Sequence, residues 1–399
     1  MLKLCLIVPE YLPVPAVKGG AIETLVTNLA LENTRSHKAD ITIVSPYDEQ
    51  ARAIAPHDPF THFTYIPQIG TARLILCKYS KGPFNRIMRN QRFISDAYYE
   101  DVLRQIRKDT YDAIIFEGGP AAGYSSYGKL FGNRLFYHLH CCPDKSFTNY
   151  CFSKVLSVSQ FAADCWNKYS MGQHASAQIV RNGEPLESYW ATISPERRRQ
   201  LRTRLGIQPN DFVVLYVGRI IPEKGTLQLI HAISQIQDPT VKLLLIGSSN
   251  FADSTMTPYL SEVKKELAKL GNRVIETGYV PHEQLPLYLK SADMQAVPSM
   301  WEDAACLAAL EAMASGLPLV ITRSGGMPEY VSNNCAVIVE KDKGVEQSLT
   351  KSILHLKNSP SLRNQMSRAG IERSRKFTNK AFYTNFLRTV EKMLPTSGN

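Results

Sequence analysis

Two cationic side chains lie close together in a short segment of the second half of the chain. Gly218 and Arg219 follow an aliphatic and β-branched run, and Lys224 and Gly225 precede a helical pattern. A glycine at a strand end lets the backbone approach a ligand closely. Cations beside a helix N-terminus attract phosphate, because the helix dipole and the charges act together. The segment therefore predicts a diphosphate site, with a surface loop bearing two solvated cations as the alternative.

A carboxylate lies among small and apolar residues in a second segment. A predicted strand ends at Pro298-Ser299, Asp303 follows in a loop, and Glu311 lies in a helical run of alanines and leucines. Such a carboxylate is costly unless it is paired or hydrogen-bonded, and the hydroxyl groups of a sugar or a ribose would supply those bonds. A glutamate on an exposed helix face is the alternative. The spacing places one acid at the helix start and the other about two turns on.

Glycine pairs follow two other predicted strands. Gly19-Gly20 come after the first strand of the chain, and Gly325-Gly326 precede Glu329 in the second half. Such pairs let helix amides face a ligand, or they simply turn the chain. Each pair alone is weak evidence for a binding site.

Alternating elements position these motifs. Short apolar runs that predict buried strands alternate with helical patterns, and the runs are residues 4–8, 41–45, 113–116, 135–138, 155–158, 212–217, 242–246, 273–276, 294–297 and 319–322. Alternation of this kind predicts parallel sheets, which bind ligands beyond the carboxyl ends of their strands. We expect an α/β fold with domains at residues 1–190 and 205–378, followed by a helix and tail at 379–399.

The composition limits the class of protein. The chain has 399 residues, more than one hydrophobic core usually organises, and its formal net charge is +10. An excess of basic residues suits an anionic partner such as nucleic acid, an acidic membrane surface or a phosphorylated substrate.

None of the eight cysteines forms a C-x-x-C pair, which favours scattered reduced thiols. No apolar stretch could span a bilayer, so we expect a cytoplasmic protein, soluble or peripheral on the inner membrane face.

In their order along the chain, these motifs resemble those of the family 4 glycosyltransferases. That family combines a glycine pair after the first strand, a G-R-x-x-x-x-K-G loop, a P-S…E-x7-E segment and a G-G-x-x-E segment. The residues here are Gly19-Gly20, Gly218-Arg219 with Lys224-Gly225, Pro298-Ser299 with Asp303 and Glu311, and Gly325-Gly326 with Glu329. The resemblance covers almost the whole chain and is strongest from Val217 to Val331. It implies the GT-B fold, two Rossmann-like domains facing across a cleft, with the C-terminal helix crossing back to the N-terminal domain.

The resemblance also implies roles for single residues. Arg219 and Lys224 would bind the diphosphate of a nucleotide sugar, and Glu311 would bind its ribose. The backbone of Gly278-Tyr279-Val280 would frame the nucleobase. The donor is thereby assigned to the C-terminal domain and the acceptor to the N-terminal one.

A histidine near the sugar is a further feature of the family. His138 and His140 are the candidates here, and we favour His140, which lies further out along its predicted strand. We expect the other histidine to be structural.

The chain departs from the family at one point. Where the family has Glu-Pro-Phe-Gly, this chain has Asp303-Ala304-Ala305-Cys306. The spacing assigns the first acid to Asp303, and Glu302 could serve after a small shift of the loop. Backbone amides near Ala305, Cys306 and Leu307 would still reach the sugar and the β-phosphate, while the donor sugar stays open.

The predicted activity is retaining transfer of a hexose from a nucleotide diphosphate sugar, UDP-linked, to a hydroxyl acceptor in bacterial surface glycan synthesis. The acceptor is expected to be a glycan or a lipid-linked carrier. No D-x-D motif stands out in a strand-end loop, so we expect neither a metal nor a cofactor, with cations stabilising the leaving diphosphate. A GT-B-like epimerase is one alternative. A basic nucleic-acid-binding protein is another, but no recognised motif supports it and it leaves Glu311 unexplained.

A basic and apolar segment, residues 73–95, carries six cations and no acidic residue. Basic residues interleaved with apolar ones suit an interfacial segment on an anionic membrane leaflet. A basic loop and helix packed on the N-terminal domain is the alternative.

Overall fold

The computed structural model describes residues 1–76, 79–80, 97–119, 125–143, 152, 154–170, 177–248 and 256–394. The chain divides into two compact units, Met1–Gly183 with Asn379–Asn399, and Glu184–Thr378. Each unit contains one parallel sheet with helices between its strands. The predicted α/β class is therefore confirmed.

The first unit has a seven-stranded sheet in the order β3-β2-β1-β4-β5-β6-β7. Its strands are β1 (Leu2–Ile7), β2 (Ala39–Pro46), β3 (Thr61–Ile66), β4 (Ala113–Glu117), β5 (Leu135–Leu139), β6 (Lys154–Ser157) and β7 (Gln178–Ile179). Its helices are α1 (Ala21–Ser36), α2 (Glu49–Ile54), α3 (Ala97–Ile106), α4 (Ser125–Phe131) and α5 (Gln160–Tyr169). The strand order reverses between β1 and β4, where open parallel sheets bind their ligands.

The second unit has a six-stranded sheet in the order β10-β9-β8-β11-β12-β13. Its strands are β8 (Phe212–Val217), β9 (Val241–Ile246), β10 (Val274–Gly278), β11 (Met294–Val297), β12 (Leu319–Thr322) and β13 (Ala336–Val339). Its α-helices are α6 (Glu187–Trp190), α7 (Pro195–Arg204), α8 (Thr226–Ser234), α9 (Pro258–Leu270), α10 (Leu285–Ser291), α11 (Leu307–Ala314), α12 (Met327–Tyr330), α13 (Val345–Asn358) and α14 (Pro360–Ser374). The order reverses between β8 and β11.

The strands of the second sheet are apolar because both faces are covered. Along β8, Val213 and Leu215 belong to one core cluster, whereas Val214 and Tyr216 belong to the other. Side chains that alternate between two buried faces explain why such strands read as continuous apolar runs.

The boundary between the units lies at Gly183, ahead of the predicted end of the first domain at residue 190. Glu184 N donates a hydrogen bond to Phe377 O at 3.0 Å, within the second unit. The arginine-rich helix α7 joins this unit as well, because buried Arg202 donates to Ser291 O at 2.9 Å and to Asp211 O at 2.6 Å.

The terminal helix α15 (Asn379–Met393) belongs to the first unit. Its apolar stripe, Phe382, Phe386 and Val390, is buried. Asn379 Nδ2 donates to Asn28 O of α1 at 2.9 Å. The predicted return of this helix to the N-terminal unit is therefore confirmed.

A disulfide joins Cys142 and Cys165, whose Cα atoms are 5.6 Å apart. The expectation that all cysteines are reduced is wrong for this pair, because the fold brings residues 23 positions apart to bonding distance. Cys5, Cys306 and Cys335 are free and buried, and Cys141 is exposed.

No helix of the described residues has both the length and the apolar sequence that crossing a bilayer requires. Most of the basic and apolar segment 73–95 lies outside those residues. In its described part, Arg73 forms an ion pair with Asp101 at 2.6 Å, and Leu74, Ile75 and Leu76 are exposed.

Candidate active site

Two loops at the reversal point of the second sheet form one hydrogen-bonded assembly. The first follows β8 and contains Arg219, Glu223 and Lys224, and the second follows β11. Met300 N and Trp301 N of the second loop donate to Glu223 O at 2.8 and 3.1 Å. Neighbouring parallel strands bring these loops to the same edge of the sheet.

Gly225 makes this close approach possible. Its φ of 69° lies in the left-handed region, and a Cβ added there would lie 1.9 Å from Pro298 O. Only glycine fits such a position. The 3-10 turn Pro222–Lys224 therefore lies directly against the end of β11.

An ion pair joins the two loops. Lys224 Nζ donates to Oδ1 and Oδ2 of Asp303, both at 2.9 Å, and Ser299 Oγ donates to Oδ2 at 2.7 Å. Both members of the pair are partly buried. The side chain of Arg219 is exposed in the same loop as Lys224. The loop thus combines one cation held by an acid with a second at the surface.

Glu302 and Asp303 have different surroundings. Glu302 is exposed, its Oε2 accepts from Gly325 N at 2.6 Å, and its Oε1 accepts from Lys341. Gly326 N donates to Asp303 O at 2.7 Å. The geometry therefore brings Asp303, and not Glu302, to Lys224.

The Gly325-Gly326 pair has a structural role in this loop. A Cβ on Gly325 would lie 2.3 Å from Asp303 O, and the amides of both glycines are hydrogen-bonded to the acidic loop. Because both amides are used within the protein, the structure supports a turn that holds residues 302 and 303 in place rather than a phosphate cradle.

Glu311 is buried within α11. Its Oε1 accepts from the hydroxyl of Tyr189 at 3.1 Å and lies 3.6 Å from His282 Nδ1. Burial raises the pKa of Glu311, opposed by His282 and by the Tyr189 hydrogen bond. The alternative of a glutamate on an exposed helix face is excluded. Sequence reasoning missed Tyr189 and His282. They lie 122 and 29 positions before Glu311, and no sequence spacing connects them to it.

The other predicted donor residues lie around these loops. Gly278 ends β10 with its carbonyl accepting from Gly247 N at 2.9 Å, Tyr279 is exposed, and Val280 packs against the core. Cys306 is buried just before α11 begins, and Ala305 and Leu307 on either side are partly buried.

In the first unit, three ionisable side chains cluster at the ends of β4 and β5. Glu117 Oε2 accepts from His138 Nδ1 at 2.8 Å and from His140 Nε2 at 2.9 Å. Glu117 and His138 are fully buried, and His140 is mostly buried. One side-chain nitrogen or oxygen atom of each residue lies within 4.8 Å of the other two, and the contacts are those of a hydrogen-bonded cluster.

Gly19 and Gly20 lie at the reversal point of the first sheet, between β1 and α1. Their φ values are 77° and 99°. A Cβ on Gly20 would meet Glu23 Oε2 at 2.1 Å, so the buried Glu23 carboxyl folds back over this glycine. Burial raises the pKa of Glu23 to about 7.

Comparison with known proteins supports the family resemblance. Residues 197–373 match the family described as glycosyl transferases group 1. The YtcC protein of Bacillus subtilis, which is named as a glycosyltransferase, is 25% identical over 92% of this chain and 86% of its own. The lipopolysaccharide 1,2-N-acetylglucosaminetransferase of Salmonella typhimurium is 32% identical over 45% of this chain and 46% of its own.

The fold is shared with a solved structure, that of Anabaena Alr3699/HepE in complex with UDP-glucose. It has a TM-score of 0.74 at 18% identity and covers 98% of this chain and 100% of that one. At this identity the likeness concerns the fold alone. It agrees with the predicted two-domain GT-B architecture.

Proposed function

We propose that this chain is a glycosyltransferase of the GT-B type that transfers a hexose from a UDP-sugar to a hydroxyl group with retention of configuration. Its residues 197–373 match the family described as glycosyl transferases group 1. The observation that carries the proposal is the assembly of Arg219, Lys224 and Asp303 at the reversal point of the second sheet. Ligands of open parallel sheets bind at such points.

The two cations of this loop would hold the diphosphate of the donor. A phosphate oxygen that approaches Lys224 would accept a hydrogen bond from the ammonium group of this lysine. One oxygen of Asp303 would thereby lose its hydrogen bond from Lys224 and could accept one from a sugar hydroxyl. As the bond between the anomeric carbon and the β-phosphate breaks, negative charge grows on the diphosphate. Arg219 and Lys224 would stabilise that charge without a metal ion.

Glu311 would bind the ribose of the donor. Its Oε1 is used by Tyr189, whereas Oε2 has no hydrogen-bond partner among the described residues. A carboxylate oxygen accepts strong hydrogen bonds from hydroxyl groups. Tyr189 would therefore fix the orientation in which Oε2 meets the ribose.

Retention of configuration follows if the acceptor oxygen attacks the anomeric carbon from the same face from which the diphosphate leaves. The acceptor oxygen would bond to the anomeric carbon, and the acceptor proton would pass to the departing diphosphate. UDP is favoured as the nucleotide by the HepE complex, and a lipid-linked or polysaccharide acceptor by the lipopolysaccharide transferase. By the family resemblance, His140 would contact the sugar.

Incubation of the purified protein with a panel of nucleotide sugars tests this function. Release of a nucleoside diphosphate from one donor, increased by an added acceptor, is the expected result. Isomerisation of the donor sugar with no transfer would instead identify an epimerase. If no nucleotide sugar is bound or consumed, the proposal is wrong.

A further inference from the structure

Glu117 is a buried acid that the proposed mechanism does not use. It ends β4, and in the register of the sheet it lies opposite His138 of β5. His138 and His140 are two positions apart, so their side chains leave the strand on the same face, and their ring centroids are 4.2 Å apart. Both rings direct a nitrogen at the same carboxylate oxygen, Glu117 Oε2.

The hydrogen bonds determine which nitrogen of each ring carries a proton. An ionised carboxylate only accepts, so His138 Nδ1 and His140 Nε2 must both donate. Burial alone would raise the pKa of Glu117, but the two histidines lower it to about 2, so the acid is ionised at neutral pH. Burial lowers the pKa of His140 to about 4, so its ring is neutral.

A neutral ring protonated on one nitrogen has a lone pair on the other. For His140 that nitrogen is Nδ1, which has no hydrogen-bond partner among the described residues. His138 Nε2 is buried without a partner, and the His138 ring lies 5.9 Å from that of Phe386. The His140 side chain is 7% exposed, whereas that of His138 is 0% exposed. Only His140 can therefore offer its lone pair to a ligand.

The surroundings of Glu117 hold it in this arrangement. Gly118 and Gly119 follow it with φ values of 75° and 83°. A Cβ on Gly118 would come within 3.0 Å of Ile22 at the start of α1, and one on Gly119 within 2.6 Å of the Tyr99 hydroxyl. The turn after β4 is thus packed against both neighbours, and the Glu117 side chain that precedes it is 1% exposed.

We propose that Glu117 is a positioning residue that holds His140 as the Nε2–H tautomer, so that Nδ1 accepts a hydrogen bond from a hydroxyl group of the sugar substrate. This inference rests on the proposed function, in which His140 contacts the sugar. In this proposal His138 has a different role. The Nδ1–H group of His138 donates a hydrogen bond to Glu117 Oε2 from the buried side and so orients the carboxylate.

The tautomer can be measured in the full chain without any substrate. Histidine labelled with 15N gives separate signals for protonated and unprotonated ring nitrogens, and the spectrum of His140→Gln identifies His140 among the nine histidines. At pH 7 the wild-type protein should show His140 protonated on Nε2 and unprotonated on Nδ1. A proton on Nδ1, or on both nitrogens, would overturn the proposal.

Glu117→Gln tests the consequence for catalysis. A glutamine can donate as well as accept, so His140 should populate both tautomers, and kcat should fall about 10- to 100-fold, the effect of losing one charge-assisted hydrogen bond. Glu117→Asp, which keeps the charge, should recover part of the loss. Binding of UDP alone should be unchanged, because its proposed contacts belong to the second unit.

The outcomes separate the inference from the function on which it rests. If the wild-type protein neither binds UDP nor consumes any nucleotide sugar, the proposed function fails, and the tautomer measurement still tests the Glu117–His140 relation. If the wild-type protein is active and folded Glu117→Gln retains both kcat and the wild-type tautomer, Glu117 does not position His140. Should Glu117→Gln fail to fold, the wild-type tautomer and the kcat of Glu117→Asp decide.

Discussion

At the level of single residues, the pair of Lys224 and Asp303 has the clearest chemical consequence. Their charges satisfy each other at 2.9 Å, and both remain partly exposed. Solvent screening makes such a pair worth little to stability, about 1 kcal/mol or less. In the proposed mechanism, a phosphate would become the partner of Lys224 and a sugar hydroxyl the partner of Asp303.

Lys224→Ala and Arg219→Ala should each weaken binding of UDP more than binding of uridine. Phosphate contacts are charge-assisted and have no counterpart in the uncharged nucleoside. Calorimetric titration of both ligands measures the difference. Lys242→Ala, which removes a cation from the same unit whose Nζ donates to Asn272 O, is a matched control. Equal losses for the two ligands would show that this loop does not hold the phosphates.

Glu311→Gln should raise the KM for the donor sharply and leave the fold intact. The amide keeps the shape of the side chain, but it loses a charged acceptor, which costs about 1.5–3 kcal/mol or roughly 10- to 150-fold. Steady-state kinetics and circular dichroism measure the two effects. Tyr189→Phe, which removes the hydrogen bonds of the hydroxyl to Glu311 Oε1 and to His282 Nε2 but keeps the carboxylate, should show a smaller effect. Unchanged kinetics in Glu311→Gln would refute its assignment to the ribose.

The donor-binding roles of Lys224, Asp303 and Glu311 stay predictions. The burial of Glu311 was predictable from the sequence, because an acid among alanines and leucines must be paired or hydrogen-bonded. The choice between Glu302 and Asp303 was not, because it depends on hydrogen bonds from Gly325 and Gly326, more than 20 positions away. Glu117 was not singled out either. A single acid at a strand end has no signal until the neighbouring strand places two histidines beside it.

At the level of elements, strands with two buried faces were predicted accurately, since their apolar runs are continuous. The predicted residues 212–217 and 319–322 coincide with β8 and β12. β3 was missed because its sequence, Thr-His-Phe-Thr-Tyr-Ile, mixes polar and apolar residues at one end of the sheet. β7 was missed because it has two residues. Edge strands with little burial carry a weak pattern.

The close packing of the loop after β8 against β11 can be tested with a matched glycine pair. Gly225 and Gly206 have φ values of 69° and 73°, but a Cβ on Gly206 would meet nothing within 4 Å. Gly206→Ala should cost about 1–2 kcal/mol from left-handed strain alone. Gly225→Ala should cost about 1–3 kcal/mol more, because Pro298 must move. Urea unfolding measures both free energies, and equal losses would contradict the packing.

At the level of the whole molecule, the two units share one architecture and differ in chemistry. Each sheet reverses its strand order between its first and fourth strands. The second unit gathers cations and acids at that point, whereas the first gathers glycines, with a neutral histidine held by a carboxylate close by. Fold class was predictable from alternation, but the assignment of residues 184–190 to the second unit depends on long-range contacts.

Activity should survive chelation by EDTA. Arg219 and Lys224, rather than a divalent ion, are proposed to neutralise the leaving diphosphate. Turnover of the donor identified in the panel, measured before and after chelation and dialysis, should differ little. Complete loss of activity, restored by magnesium or manganese, would contradict the metal-free mechanism.

The central claim is retaining transfer from a nucleotide sugar, and proton NMR of the reaction tests it most directly. An α-linked UDP-hexose is mixed with the protein and an acceptor, and the anomeric proton is followed as the donor disappears. The predicted result is stoichiometric release of UDP with an α-linked product as the first anomer formed. A β-linked first product would contradict retention, and an unchanged spectrum with every donor of the panel would contradict glycosyl transfer itself.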